Sequence, residues 1–247
     1  MRLLVRTFSE LCITVGAVIL LFVVYVLYWT GVRADSAMDG QIDELQQQWA
    51  ATAPPSPAAT GGGQSGEAKA PGSAGRSGPA RPAVLVKGKA FAVMYIPRLG
   101  RGWAKPVLQG TGVQVLRKGL GHYARTAPPG GQGNFAVAGH RRTYGDPFKD
   151  FPRLRPGDAV VVSDGTTWFT YRIDAPVYRT LPSDVGVVEP VPAPLDPQAR
   201  PYKRAGRYLT LTTCDPEWGS SHRLIAWGHL DATQPVSQGR PAALRPG

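Results

Sequence analysis

The chain has 247 residues, with 28 Lys and Arg against 17 Asp and Glu for a formal charge of +11, and it holds only two cysteines and four histidines. So few cysteines supply neither a disulfide framework nor the clustered Cys/His spacing of a zinc site. The basic residues are scattered and no nucleic-acid-binding motif is present, so the charge reads first as a solubilising surface and second as attraction to anionic lipid or wall polymer, not to nucleic acid.

From Leu11 to Trp29 the chain reads "LCITVGAVILLFVVYVLYW". This uncharged, proline-free run has about the 20 apolar residues that an α-helix needs to cross a bilayer core, so residues 11–30 are expected to span a membrane. A cleaved signal peptide is the competing reading, with Ala34 and Ser36 as the small residues of a cleavage site; its apolar region is only about 7 to 15 residues long, shorter than this run. Arg2 and Arg6 precede the span, whereas Arg33 follows it together with Asp35, Asp39, Asp43 and Glu44. That asymmetry places residues 1–10 in the cytoplasm and everything after Thr30 outside. Tyr25, Tyr28 and Trp29 crowd the outer end, where aromatic rings prefer the headgroup level. Cys12, at the inner end, reads as a small apolar helix residue, with reversible acylation as the alternative.

Residues 31–83 divide in two. Ile42, Leu45 and Trp49 fall at helical spacing and predict a short polar helix. Ala53 to Pro82 is rich in Pro, Gly, Ala and Ser, with no aliphatic side chain larger than alanine, and is expected to be a disordered tether. At about 30 residues such a tether has a root-mean-square reach of about 30 Å. Residues 234–247 are expected to be a flexible tail.

Residues 84–233 form one domain. Its apolar runs are short and rich in β-branched and aromatic residues: "FAVMYIPRL", "AKPVLQG", "NFAVAGH", "AVVVSDG", "TTWFTYRIDAPVYRT", "YLTLTTC" and "RLIAWGHL". Short strands separated by Gly, Pro and Asp turns indicate an all-β barrel or sandwich. "SDGTT" carries an Asp-Gly hairpin signal between two of them.

Cys214 is the one cysteine outside the membrane. A lone thiol in an oxidising compartment implies intermolecular pairing or a reactive thiol. In "YLTLTTC" alternation sends Leu209 and Leu211 to the core, and Tyr208, Thr210, Thr212 and Cys214 to the other face. If "RLIAWGHL" pairs with that strand as a hairpin, Arg223 stands near Cys214, where a guanidinium stabilises thiolate and offers donors to an oxyanion. The bland alternative is an ordinary arginine at a strand edge. A cysteine nucleophile needs a proton partner. His140 ends "NFAVAGH" beside Gly139, at a strand end where sites tend to sit. His222 lies in the exposed loop, His229 reads as structural, and His122 reads as a loop anchor. Tyr123 and Tyr144 are candidates for substrate contact or for simple packing.

At these residues the chain resembles the sortase family. "TLTTC", Thr210 to Cys214, matches the family's T-L-x-T-C signature; Arg223 falls on its catalytic arginine and His140 on its catalytic histidine. The stretch after His140 and the single N-terminal span are most similar to class E sortases of high-GC Gram-positive bacteria. The "DPF" at Asp146 to Phe148 is like the lid motif of pilus-building sortases, but that lid lies before the barrel.

The resemblance implies an eight-stranded β-barrel and a cysteine transpeptidase that uses no metal or organic cofactor. It implies Cys214 as nucleophile, His140 as proton donor and acceptor, and Arg223 at the substrate or oxyanion, with Thr212, Thr213, Tyr123 and Tyr144 as substrate contacts. The implied partners are secreted proteins with a C-terminal L-P-x-T-G or L-A-x-T-G signal and an amine of a peptidoglycan precursor. Three other readings compete. An L,D-transpeptidase carries Gly before its cysteine, which "LTTCDP" lacks. An anchored adhesion or scaffold module would not need Cys214. A thiol protease would hydrolyse with no dependence on an amine.

Overall fold

A computed structural model describes residues 2–52 and 85–245. The expected tether, 53–82, lies outside the described residues.

The N-terminal region is one helix, α1 (Arg2–Thr52), rather than a span followed by a separate short helix. No proline interrupts this stretch, and a glycine such as Gly31 costs an α-helix only about 1 kcal/mol, too little to end it. Its first part contains a stretch, Arg6–Tyr25, long and apolar enough to cross a membrane, and none of it is buried against the rest of the chain. The second part lies against the barrel. Ile42 and Leu45 pack on Val93, with Trp49 alongside. The spacing of those residues thus marked a buried face, and the barrel wall is what covers it.

The strands are β1 (Ala90–Tyr95), β2 (Ala104–Gln109), β3 (Leu120–His122), β4 (Gly133–Ala138), β5 (Ala159–Ser163), β6 (Thr167–Ile173), β7 (Tyr178–Thr180), β8 (Arg207–Asp215) and β9 (His222–Pro235). Eight of them run in the order β6-β5-β1-β2-β3-β4-β8-β9, and β9 pairs back onto β6 to close the barrel. Closure leaves no open sheet edge within that ring. β7 is a ninth strand, laid on the first part of β9. It arises because "TTWFTYRIDAPVYRT" does not stay extended as one strand: β6 stops at Ile173 and β7 starts at Tyr178, with Pro176 between them. The interior is filled by alternate residues of the wall, among them Met94, Val107, Phe135, Val137, Leu209, Leu211 and Ala226.

The hairpin expected at "SDGTT" joins β5 to β6. Asp164 Oδ1 accepts from the backbone N–H groups of Thr166 and Thr167, both at 2.8 Å, while Gly165 takes the left-handed conformation with φ +88°. At the C-terminus β9 continues to Pro235, two residues past the expected domain edge. Residues beyond it stay near the wall, with the Arg240 guanidinium 5.7 Å from the Tyr95 ring centroid.

Two pairings in the ring are parallel, β2 with β3 and β4 with β8. The second matters for the site, because parallel neighbours deliver their C-terminal ends to the same rim of the barrel.

Candidate active site

β8 carries the cysteine as its penultimate residue. Its alternation is as expected: Leu209 and Leu211 are fully buried in the barrel, while Cys214 is half-buried on the opposite face. Thr210 shares the outer face and yet has no exposure, because its hydroxyl donates to Asn134 Oδ1 (2.9 Å) and also lies 3.2 Å from the Val187 carbonyl of the covering 185–188 turn. Cys214 lies beyond that cover.

β8 and β9 pair as an antiparallel hairpin with Cys214 directly opposite Arg223. Asp215 and His222 also pair, so the connecting loop is 216–221, shorter than the Asp215–His222 connection expected. The Arg223 guanidinium donates to the carbonyls of Ser220 (3.0 Å) and His222 (2.9 Å). Those bonds hold the guanidinium on the connecting loop.

β4 brings the histidine. Ala138 stands opposite Thr212 in the parallel pairing, and Gly139 N–H donates to the Thr212 carbonyl at 3.1 Å. β4 stops at Ala138, and His140 follows two residues beyond it, as Cys214 lies two residues beyond Thr212 on β8. Gly139 is required between Ala138 and His140. A Cβ there would stand 2.6 Å from Phe148 Cδ2 and 2.7 Å from Leu120 Cδ2, well inside contact distance.

The His140 ring lies against the Tyr144 ring, centroids 5.2 Å apart. Its Nε2 is buried without a hydrogen-bond partner among the described residues. Burial lowers the imidazole below its ordinary range, Arg117 lowers it further, and Asp146 opposes them. The net direction favours the neutral imidazole. The sign of each contribution is testable: Arg117→Gln is expected to raise the His140 titration midpoint and Asp146→Asn to lower it further, both followed by the imidazole C2 proton in NMR.

The other histidines fall elsewhere. His122 is buried, with Nδ1 2.7 Å from Gln109 Oε1 and Nε2 3.0 Å from the Ala127 carbonyl, which makes it a loop anchor. His229 Nδ1 lies 2.6 Å from Asp174 Oδ1, and His222 Nδ1 lies 3.0 Å from Ser221 Oγ in the loop.

Of the expected substrate contacts, Tyr123 and Thr212 come together, their hydroxyls 3.1 Å apart. Both line a cavity of 150 Å³ that also takes in Arg223, Leu181 and Ile225. Thr213 faces inward instead: it is buried, and its hydroxyl donates to the Gly139 carbonyl at 2.9 Å, tying β8 to β4. Tyr144 backs His140 and is not among the residues lining that cavity.

One group was not singled out from sequence. Asp215, next to the cysteine, pairs with Arg141, next to the histidine, and with Arg179 of β7 at 2.7 Å. Hydrogen bonds from Arg179 and then Arg141 hold its carboxyl below the ordinary range. Arg142 pairs in turn with Glu217 and stacks over Trp218 at 4.7 Å. The two residues that follow His140 are thus tied to the chain that follows Cys214. The adjacency in "CDP" was the available signal; the partners were not legible.

The chain that builds this barrel and its rim matches a known family. Residues 94–231 match the sortase domain model. The chain belongs to the sortase family. It is 36% identical to Sortase SrtE1 of Streptomyces coelicolor over 246 residues, covering 97% of this chain but 60% of the relative's own length. Sortase E from Streptomyces avermitilis, a solved structure, is 66% identical with a TM-score of 0.60, and 65% of this chain matches all of that one. Sortase E1 from S. coelicolor, solved with a tripeptide in its active site, is 39% identical with a TM-score of 0.59, over 65% of this chain and 99% of that one. These relatives make class E the subclass that this sortase most resembles.

Proposed function

We propose that this sortase is a single-pass membrane enzyme that cuts a sorting signal between Thr and Gly and transfers the upstream protein to an amine of a peptidoglycan precursor. The observation that supports this reading is the registry of the rim, with Cys214 opposite Arg223 and with His140 two residues past the end of the parallel β4/β8 pairing. As the Cys214 sulfur attacks the threonine carbonyl its thiol proton passes to neutral His140, which becomes the imidazolium, and Arg223 donates to the oxygen as it becomes negative. As the C–N bond to glycine breaks, the His140 imidazolium gives its proton to the leaving amine, and a thioester remains on Cys214. The acceptor amine then attacks the thioester carbon and passes a proton to His140, which returns it to the departing sulfur and restores the thiol and the neutral imidazole.

The lowered His140 titration favours the neutral imidazole at rest, which suits acceptance of the proton from the incoming amine. The 150 Å³ cavity lined by Arg223, Tyr123 and Thr212 is a recess suited to one side chain of a bound peptide. The peptide found in the active site of the S. coelicolor relative supports the same substrate class. The apolar stretch Arg6–Tyr25 supports the anchor, and Arg2 and Arg6 support a cytoplasmic N-terminus with the barrel outside.

Incubating the protein with L-A-x-T-G and L-P-x-T-G peptides, with and without an added amine, separates the readings. Ligated product that requires the amine is expected, with L-A-x-T-G preferred as in class E. Cleavage that gives only the free acid whatever the amine would mean a thiol protease instead. Arg223→Lys is expected to lower kcat/KM by about 10²-fold or more, because an ammonium lacks the planar fork of donors. Steady-state peptide kinetics check it.

A further inference from the structure

The second half of α1 touches the barrel at two places that flank His140. Met38 is fully buried, and together with Asp35 it presses on the backbone of Gly145. A Cβ built on Gly145 would stand 2.3 Å from Met38 Cε and 2.8 Å from Asp35 Oδ1, so nothing separates helix from loop. One turn further along, Gln41 Nε2 donates to the Lys118 carbonyl at 2.9 Å. Asp35 also pairs with Lys105 at 2.8 Å, fixing the helix on β2.

Between these two contacts stands a stack of three side chains. Arg117, the residue before Lys118, places its guanidinium 5.1 Å from the Tyr144 centroid. Tyr144, the residue before Gly145, lies against the His140 ring. The loop carrying Tyr144 is strained: Thr143, Tyr144 and Asp146 have φ of +75°, +52° and +45°. Non-glycine residues hold that region only where their surroundings enforce it. Met38 supplies part of that enforcement.

We propose that residues 35–41 of α1 brace the histidine loop: the helix contacts at Gly145 and Lys118 hold Tyr144 and Arg117 against the His140 ring. Met38 and Gln41 are then positioning residues for a site they do not touch. The proposal rests on the catalytic role given above to His140. It also fixes the height of the site, because Asp35 lies ten residues past Tyr25, about 15 Å of helix at 1.5 Å per residue. The active rim is carried on the anchor helix itself.

Simple docking of barrel on helix is the competing explanation, and the geometry separates the two. Docking without the brace runs through Ile42, Leu45 and Trp49, the last of which packs at the far end on Gly165, 2.3 Å from the site of a Cβ there. A variant at Trp49 weakens docking and leaves the brace.

The test uses the full chain in lipid nanodiscs, in a Cys12→Ser background so that Cys214 is the one thiol. Variants are Met38→Ser, Gln41→Ala, Met38→Leu and Trp49→Ala. The groups around His140 are Arg117, whose guanidinium stacks on Tyr144, Tyr144 itself, and Asp146 in the loop. Loosening the brace relieves burial and withdraws Arg117, so Met38→Ser and Gln41→Ala are expected to move the His140 NMR titration upward, toward ordinary imidazole. The acid limb of kcat/KM follows, kcat falls about five-fold or more, and KM changes less than two-fold. Met38→Leu restores all three, and Trp49→Ala leaves the titration unchanged. An unmoved titration in both Met38→Ser and Gln41→Ala, or an equal shift in Trp49→Ala, overturns the brace. The titration needs no peptide. If the unsubstituted chain turned over neither sorting peptide, the function proposed above would fail while the titration still decided the brace.

Discussion

Cys214→Ala is expected to remove transfer by about 10⁴-fold or more, since no other group at the rim can form the acyl-enzyme. The loss is chemical rather than structural. Cys214 is half-buried on the outer face, away from the Leu209 and Leu211 side that fills the barrel. Removing its sulfur therefore opens no interior cavity, and the stability cost is expected to be under about 1 kcal/mol. Thermal unfolding next to a turnover assay checks both halves of the statement. A variant that lost activity together with a large drop in Tm would make the cysteine structural.

His140→Gln is expected to lower kcat by about 10² to 10⁴-fold while leaving KM close to unchanged, the usual worth of a positioned proton carrier. Its Nε2 has no hydrogen-bond partner among the described residues, so the substitution breaks no bond at that atom. The pH profile supplies the second check. The acid limb that follows His140, displaced below the ordinary imidazole range by burial and Arg117, should disappear in the variant, and added imidazole should restore part of the rate. An unaltered acid limb would assign that titration to another group.

The site was more legible in the sequence than the structure around it, for physical reasons that particular residues show. Alternation in "YLTLTTC" separates the leucines from the cysteine, and a hairpin to "RLIAWGHL" places Arg223 across from it; both follow from strand geometry and both are present. The link from His140 to Cys214 is a parallel pairing between segments far apart in sequence. No local pattern encodes such a pairing, so His140 could be ranked by its position at a strand end but not placed. β3 escaped notice because it is three residues long in a glycine-rich stretch, "GLGH", and is held by its neighbours rather than by its own propensity.

Thr213 shows the limit of carrying a motif across. It belongs to the signature stretch and faces the interior all the same, because alternation puts it with Leu211 and not with Cys214. The helix shows a different limit. Ile42, Leu45 and Trp49 announced an apolar face, yet nothing in their spacing names Val93 or Gly165 as what they cover. A partner 50 to 120 positions away is a tertiary fact, and with it goes the support that Met38 gives to the histidine loop.

The central claim is covalent chemistry at Cys214, and intact mass spectrometry of the full chain in nanodiscs tests it most directly. Incubation with an L-A-x-T-G peptide in the absence of amine is predicted to add the mass of the peptide up to and including its threonine, to map that mass to Cys214, and to release it as ligated product when amine is added. A folded protein with a free thiol that gains no such mass from either sorting peptide, or gains it equally with Cys214 replaced by Ala, would contradict the claim.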